Sequence, residues 1–157
     1  MKRFAIGLLL LVAATKHTLP AATATVVALT AQPGSALERT ARTLVADDLA
    51  QAKKAGDTPL LLVGSAKLSA APGPAAVFVQ VQSASFCGSA GCSTAVFVQR
   101  GRAWVRVLDS VSGQVRVSPR MHRGMHDLLV HGRDRFVWNG KAYADTLPTP
   151  KIDLKGG

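Results

Sequence analysis

The sequence predicts an α+β domain: an antiparallel β-meander of about six to eight strands with one amphipathic helix packed on it. Three observations predict it. A single helical-period segment lies near the N-terminus. Nearly everything after Pro59 alternates with a period of two, in short runs. Tight-turn dipeptides join those runs, and short connections between strands favour antiparallel neighbours. At 157 residues the chain is one domain's worth. Its apolar content of 48% against 18% charged residues is that of a globular chain.

Met1-Lys2-Arg3 is a basic start, and Phe4 to Ala14 is an uninterrupted apolar run ended by Lys16 and His17. Ala22-Thr23-Ala24 has the small-residue spacing of a cleavage site. Residues 1–24 therefore read as a secretory signal peptide, with a run too short for a stable membrane span. Periplasmic or secreted location follows, and it permits disulfides. Residues 25–145 form the expected single domain, and 146–157, with two prolines and a Gly-Gly end, read as a disordered tail.

Thr25 to Ala31 is a first strand or a loose lead-in. Ser35-Ala36-Leu37-Glu38 reads as a capping box. Leu37, Ala41, Leu44, Val45, Leu49 and Ala52 recur on one face of a helix over 36–55, closed by Lys53, Lys54 and Gly56. Leu60 to Val63 is a short apolar strand, and Lys67 to Pro74 a loop rich in Pro, Gly and Ala. In Ala76 to Gln82, Val77, Val79 and Val81 take one face and Phe78, Gln80 and Gln82 the other.

Ala76-Val77-Phe78-Val79-Gln80 returns as Ala95-Val96-Phe97-Val98-Gln99, and Ser83 to Ser93 between them holds both cysteines. The two runs read as arms of one hairpin whose tip is closed by a Cys87–Cys92 disulfide. Gly88 and Gly91 supply the positive φ that so small a ring demands. A redox pair would use C-x-x-C spacing, and zinc would need two further ligands. Ala103 to Leu108 and Gln114 to Ser118 follow as alternating strands, Pro119 to Met125 reads as irregular, and 127–131 and 135–138 as strands. Asn139-Gly140 signals a hairpin turn with Lys141 to Tyr143 completing the pair.

No catalytic motif is legible. Glu38 is the only glutamate, so the paired carboxylates of a glycosidase are unpromising. Asp127 and His126 lack a nucleophile elbow to serve. His122 and His126, four apart, are weak metal candidates, with Gly124 between them and no H-E-x-x-H pattern. His131 falls on a strand. No cofactor is implied.

The charge carries more. The net charge is +10, and three of the 19 basic residues fall in the leader, which leaves +7 for the remainder. Such a balance favours acidic partners. Arg102, Arg106 and Arg116 alternate with valines, and Trp104 lies among them. Together they are the expected ligand-binding face: arginines for carboxylate or phosphate, an indole for a ring. Export and the lack of a recognition module argue against nucleic acid.

The residues Cys87, Gly88, Gly91, Cys92, Trp138, Gly140 and Tyr143 match a pattern found in small exported bacterial proteins of unknown function. In that group a C-G-x-x-G-C loop between strands precedes a W-D-G-x-x-Y hairpin, where Asn139 here replaces Asp. The resemblance covers roughly Ala75 to Ala144 and implies an exported β-rich domain without defined catalysis. A more distant likeness is to periplasmic lysozyme inhibitors, although no inhibitory loop can be matched here. The reading is a non-catalytic exported binding protein for an acidic envelope polymer or a protein partner. The alternatives are an enzyme of unrecognised type, metal-assisted through His122 and His126, and an accessory subunit of an envelope assembly.

Overall fold

The computed structural model describes residues 22–147. The leader up to residue 21 and the tail from 148 lie outside the described residues. Among the described residues the architecture is α+β and antiparallel: ten strands in two sheets, with two short helices on one of them.

Both helices come from the single stripe read in the sequence. α1 (Ala36–Leu44) is capped by Ser35, whose Oγ accepts the Glu38 N–H at 3.0 Å. The Glu38 carboxylate reaches back to the Gly34 N–H at 3.2 Å, one residue earlier than a standard capping box. α2 is Ala46–Lys54. The expected single helix breaks at Val45, where φ is −117° and ψ is 29°. The break falls on a buried β-branched residue, whose restricted χ1 lowers helix propensity. Helical hydrogen bonds continue across it, from Val45 N–H to Ala41 and from Leu49 N–H to Val45. The apolar stripe therefore stays on one face.

That stripe packs on an inner sheet built of β2 (Leu60–Ala66), β3 (Ala76–Gln82), β4 (Cys87–Gly88), β5 (Gly91–Arg100) and β6 (Ala103–Ser112). Ala41, Val45 and Leu49 meet Val63, Val77, Val79 and Phe97 in one core cluster. The opposite face contributes Phe78, Val96 and Val107 to a second cluster with Val115, Leu128 and Trp138. These last three belong to an outer sheet, β1-β7-β8-β9-β10 in spatial order. Its strands are β1 (Thr25–Val26), β7 (Val115–His122), β8 (Met125–Val130), β9 (Asp134–Trp138) and β10 (Tyr143–Asp145).

The described residues thus form three layers, helices over one sheet over a second. The repeated AVFVQ runs lie in the middle layer. They pair antiparallel, Val79 with Ala95 and Gln80 with Thr94, as arms of one hairpin. Their valines and phenylalanines, half-buried Val98 apart, are buried on both faces, which explains why both runs are almost wholly apolar.

Three local differences from the sequence reading have physical causes. β7 continues to His122 through a stretch that reads as irregular. Its pairing with β8 shifts between Val117 and Met121, and Pro119, which lacks a donor, sits at that irregularity. Asn139-Gly140 is not a two-residue hairpin. Asn139 Oδ1 accepts the N–H groups of Lys141 and Ala142 at 2.8 and 2.9 Å, so the turn spans four residues. The start of the expected disordered tail is tied down as far as Thr146, whose N–H bonds Arg135 O at 3.0 Å. Among the described residues no helix is long and apolar enough to cross a membrane.

Candidate functional site

Consecutive turns of an antiparallel chain alternate between its two ends, so every second turn shares an end. Gly101-Arg102 joins β5 to β6, Arg123-Gly124 joins β7 to β8, and Asn139–Ala142 joins β9 to β10. All three meet in space. Arg100 donates from Nη2 to Lys141 O at 2.9 Å. Arg123 donates from Nη1 to Asn139 O at 2.8 Å. Gly101 and Gly124 take positive φ, +60° and +81°, and Arg123 itself sits at +49°. Four cations, Arg100, Arg102, Arg123 and Lys141, are therefore presented by three turns that contain no carboxylate. Among the described residues none of the four lies within ion-pair distance of an Asp or Glu.

A cleft opens beside this basic corner. It measures about 430 Å³ and runs between the Pro72 loop and the Arg100-Gly101 turn. Leu68, Pro72, Pro74, Val98, Met125 and Trp138 supply apolar lining, and Arg100 lines it with its guanidinium 5.3 Å above the Trp138 ring. The loop wall is pinned to the outer sheet: His126 N–H bonds Leu68 O at 2.7 Å, and Ser69 bridges Met125. Behind the ring, Trp138 meets Tyr143 edge-on at 5.3 Å.

Under the same corner lies a histidine–aspartate pair. His122 Nδ1 is 2.5 Å from Asp127 Oδ1, with Asp127 wholly buried and the His122 side chain 45% exposed. Asp127 Oδ2 has no hydrogen-bond partner, and Arg135 Nη1 stands 3.9 Å away. Burial, and secondarily the Asp127 charge, push the Tyr143 hydroxyl above its ordinary range. Tyr143 keeps its proton and donates it to His126 O at 2.7 Å. His126 Nδ1 in turn donates to Ser118 O at 2.9 Å. The two histidines named as metal candidates therefore face different partners. Among the described residues no group of three or more His, Cys, Asp or Glu is gathered as metal ligands would be.

The expected binding face of Arg102, Trp104, Arg106 and Arg116 is divided by the fold. Arg106 lies on the helix side, 5.1 Å above the Phe97 ring, bonded to Asp48 at 2.9 Å and Asp109 at 3.0 Å. Trp104 packs against the same helix-side core. Arg116 is in the outer sheet and bonds Gln114. Only Arg102 reaches the basic corner. Alternation within β6 and β7 separates Trp104, Arg106 and Arg116 from the neighbouring valines, but the two strands belong to different sheets and Arg102 lies in the turn before β6 rather than on a strand face. Arg100, Arg123, Lys141 and Trp138 were the residues to notice. Their signal was three turn dipeptides, Arg-Gly, Arg-Gly and Asn-Gly, at every second connection.

Cys87 and Cys92 form the expected disulfide, as directly opposed residues of β4 and β5. The loop is anchored at its root by Asp57, whose Oδ2 accepts the Ser85 hydroxyl at 2.8 Å and the Ser85 N–H at 3.0 Å. Those bonds hold the Asp57 carboxyl below its usual range. The loop does not adjoin the basic corner in sequence or pairing; its own shallow surface includes Ser112, the last residue of β6.

In comparisons with known proteins the chain matches no family model, no curated protein and no solved structure.

Proposed function

We propose that the chain is an exported, non-catalytic binding module that captures an acidic component of the cell envelope through its basic corner. One observation carries the reading: four cations on or beside three converging turns, with no Asp or Glu within ion-pair distance of them among the described residues. Arg100 and Arg123 are already oriented by backbone carbonyls, so little side-chain freedom is lost when they engage an anion. Export rests on the leader pattern, and the disulfide is compatible with an oxidising compartment.

The test is capture from the protein's own envelope extract at low and high salt. The wild-type chain retains an acidic component that salt releases. The double variant Arg100→Glu, Arg123→Glu loses it, and Arg116→Glu, on the outer sheet, retains it. Equal capture by the double variant refutes the proposal.

A second reading, an enzyme of unrecognised type, is favoured by the His122–Asp127 pair. A buried carboxylate on Nδ1 leaves Nε2 as the basic nitrogen, the arrangement used by general bases. It predicts hydrolysis of p-nitrophenyl acetate above background that His122→Ala abolishes. Identical rates for the two proteins end this reading.

A further inference from the structure

We infer that the cleft beside the basic corner takes the apolar chain of a single-chain anionic amphiphile, whose carboxylate or phosphate head sits on Arg100. The inference rests on the corner being a ligand site, and it names what that site holds. The cleft is the size of a small-ligand pocket, about 430 Å³. Its apolar lining includes two buried residues, Leu68 and Trp138, and Met125, which packs against the same core, while Ser69 and Gln99 add neutral polar lining. Charge is confined to one side, where Arg100 is fixed twice, by Lys141 O and by the Trp138 ring.

That division of lining dictates the occupant. A wholly polar ligand would leave the Met125, Val98 and proline surfaces without apolar partners. A neutral hydrocarbon would leave the guanidinium beside it with no anion. A chain with one anionic end satisfies both parts. Arg100 keeps N–H donors beyond the one given to Lys141 O, and its planar fork suits carboxylate and phosphate alike. Leu68 and Ser69 pin the start of the 67–74 loop to the outer sheet, which fixes that part of the far wall before the ligand arrives.

Decanoate, decanol and butyrate are the probes, titrated into the disulfide-intact protein by calorimetry. Decanoate binds and butyrate does not. Arg100→Gln weakens decanoate about tenfold, the worth of a charge-assisted hydrogen bond, and leaves decanol unchanged. Ala71→Trp, on the exposed loop that lines the cleft, blocks decanoate and decanol together. An unchanged circular dichroism spectrum in both variants keeps folding out of the comparison. Decanoate binding no better than butyrate, or unaffected by Ala71→Trp, overturns the inference. Should envelope capture still depend on Arg100 and Arg123, only this inference has failed. Decanoate binding without any envelope capture overturns the envelope-capture reading instead.

Discussion

Asp57 and Glu38 each fix a boundary of the helical layer. Asp57 follows the end of α2 and holds the root of the disulfide loop through Ser85. Glu38 starts α1, held below the usual carboxylate range mainly by its hydrogen bond to Arg42 and, against some burial, by the Gly34 N–H. A carboxyl whose folded pKa is depressed contributes stability above its unfolded pKa and loses it as pH falls through the folded value. Thermal midpoints should therefore fall as pH drops through and below the ordinary carboxylate range. Asp57→Asn with Glu38→Gln should lower the neutral-pH midpoint and flatten that fall, as scanning calorimetry would show. An unchanged acid slope would assign the loss to other groups. Two glycines are as demanding as these carboxylates. A Cβ at Gly64 would stand 2.5 Å from Ala28 O, and one at Gly113, at φ +102°, would stand 2.3 Å from the His131 ring. Gly64→Ala should cost roughly 1–3 kcal/mol in denaturant unfolding, the range for overpacking, because backbone cannot step aside. No single-sequence pattern marks Gly64, since its neighbour Ala28 lies 36 positions back in the chain.

At the scale of elements, alternation identified faces and missed partners. Val77, Val79 and Val81 lie with the helices and Phe78 lies with the outer sheet, as the period of two requires. The helix stripe was legible because an amphipathic face repeats every 3.6 residues whatever it packs on. Its break at Val45 and the irregular pairing at Pro119 were not legible, because both depend on what surrounds them. The disulfide hairpin was legible because a local motif needs no distant partner. Its bond closes a very short loop, so Cys87→Ser with Cys92→Ser should cost only about 2 kcal/mol. The fold should survive that change, with faster amide exchange confined to Ser85 through Ser93. Global unfolding of the double variant would show that the loop does more than shape itself. The candidate site suffered most from this limit. Its residues come from three turns whose coincidence depends on which sheet each strand joins.

The whole molecule is a stack in which the inner sheet touches both other layers. Phe78 has no exposed surface and sits between sheets, with Val96 and Leu128 in the same cluster. Phe78→Ala should cost about 3–5 kcal/mol in urea unfolding, the usual range for a buried ring. A loss under about 1 kcal/mol would mean that the two sheets are loosely mated. The segment from Thr25 to Thr30 belongs to both of them. Thr25 pairs with Val117 in the outer sheet, and Thr30 bridges Val63 in the inner one. Thr25 thus waits for a partner made more than ninety positions later. Contacts so distant in sequence are slow to form, since loop closure precedes any gain from pairing. Refolding should show the helix and the disulfide hairpin protected early and the Val27 amide, bonded to Val115 O, protected last. Under the proposed export this order has a practical effect: a β1 that crosses a membrane ahead of β7 would stay unpaired in transit and complete the sandwich only when most of the domain has followed it.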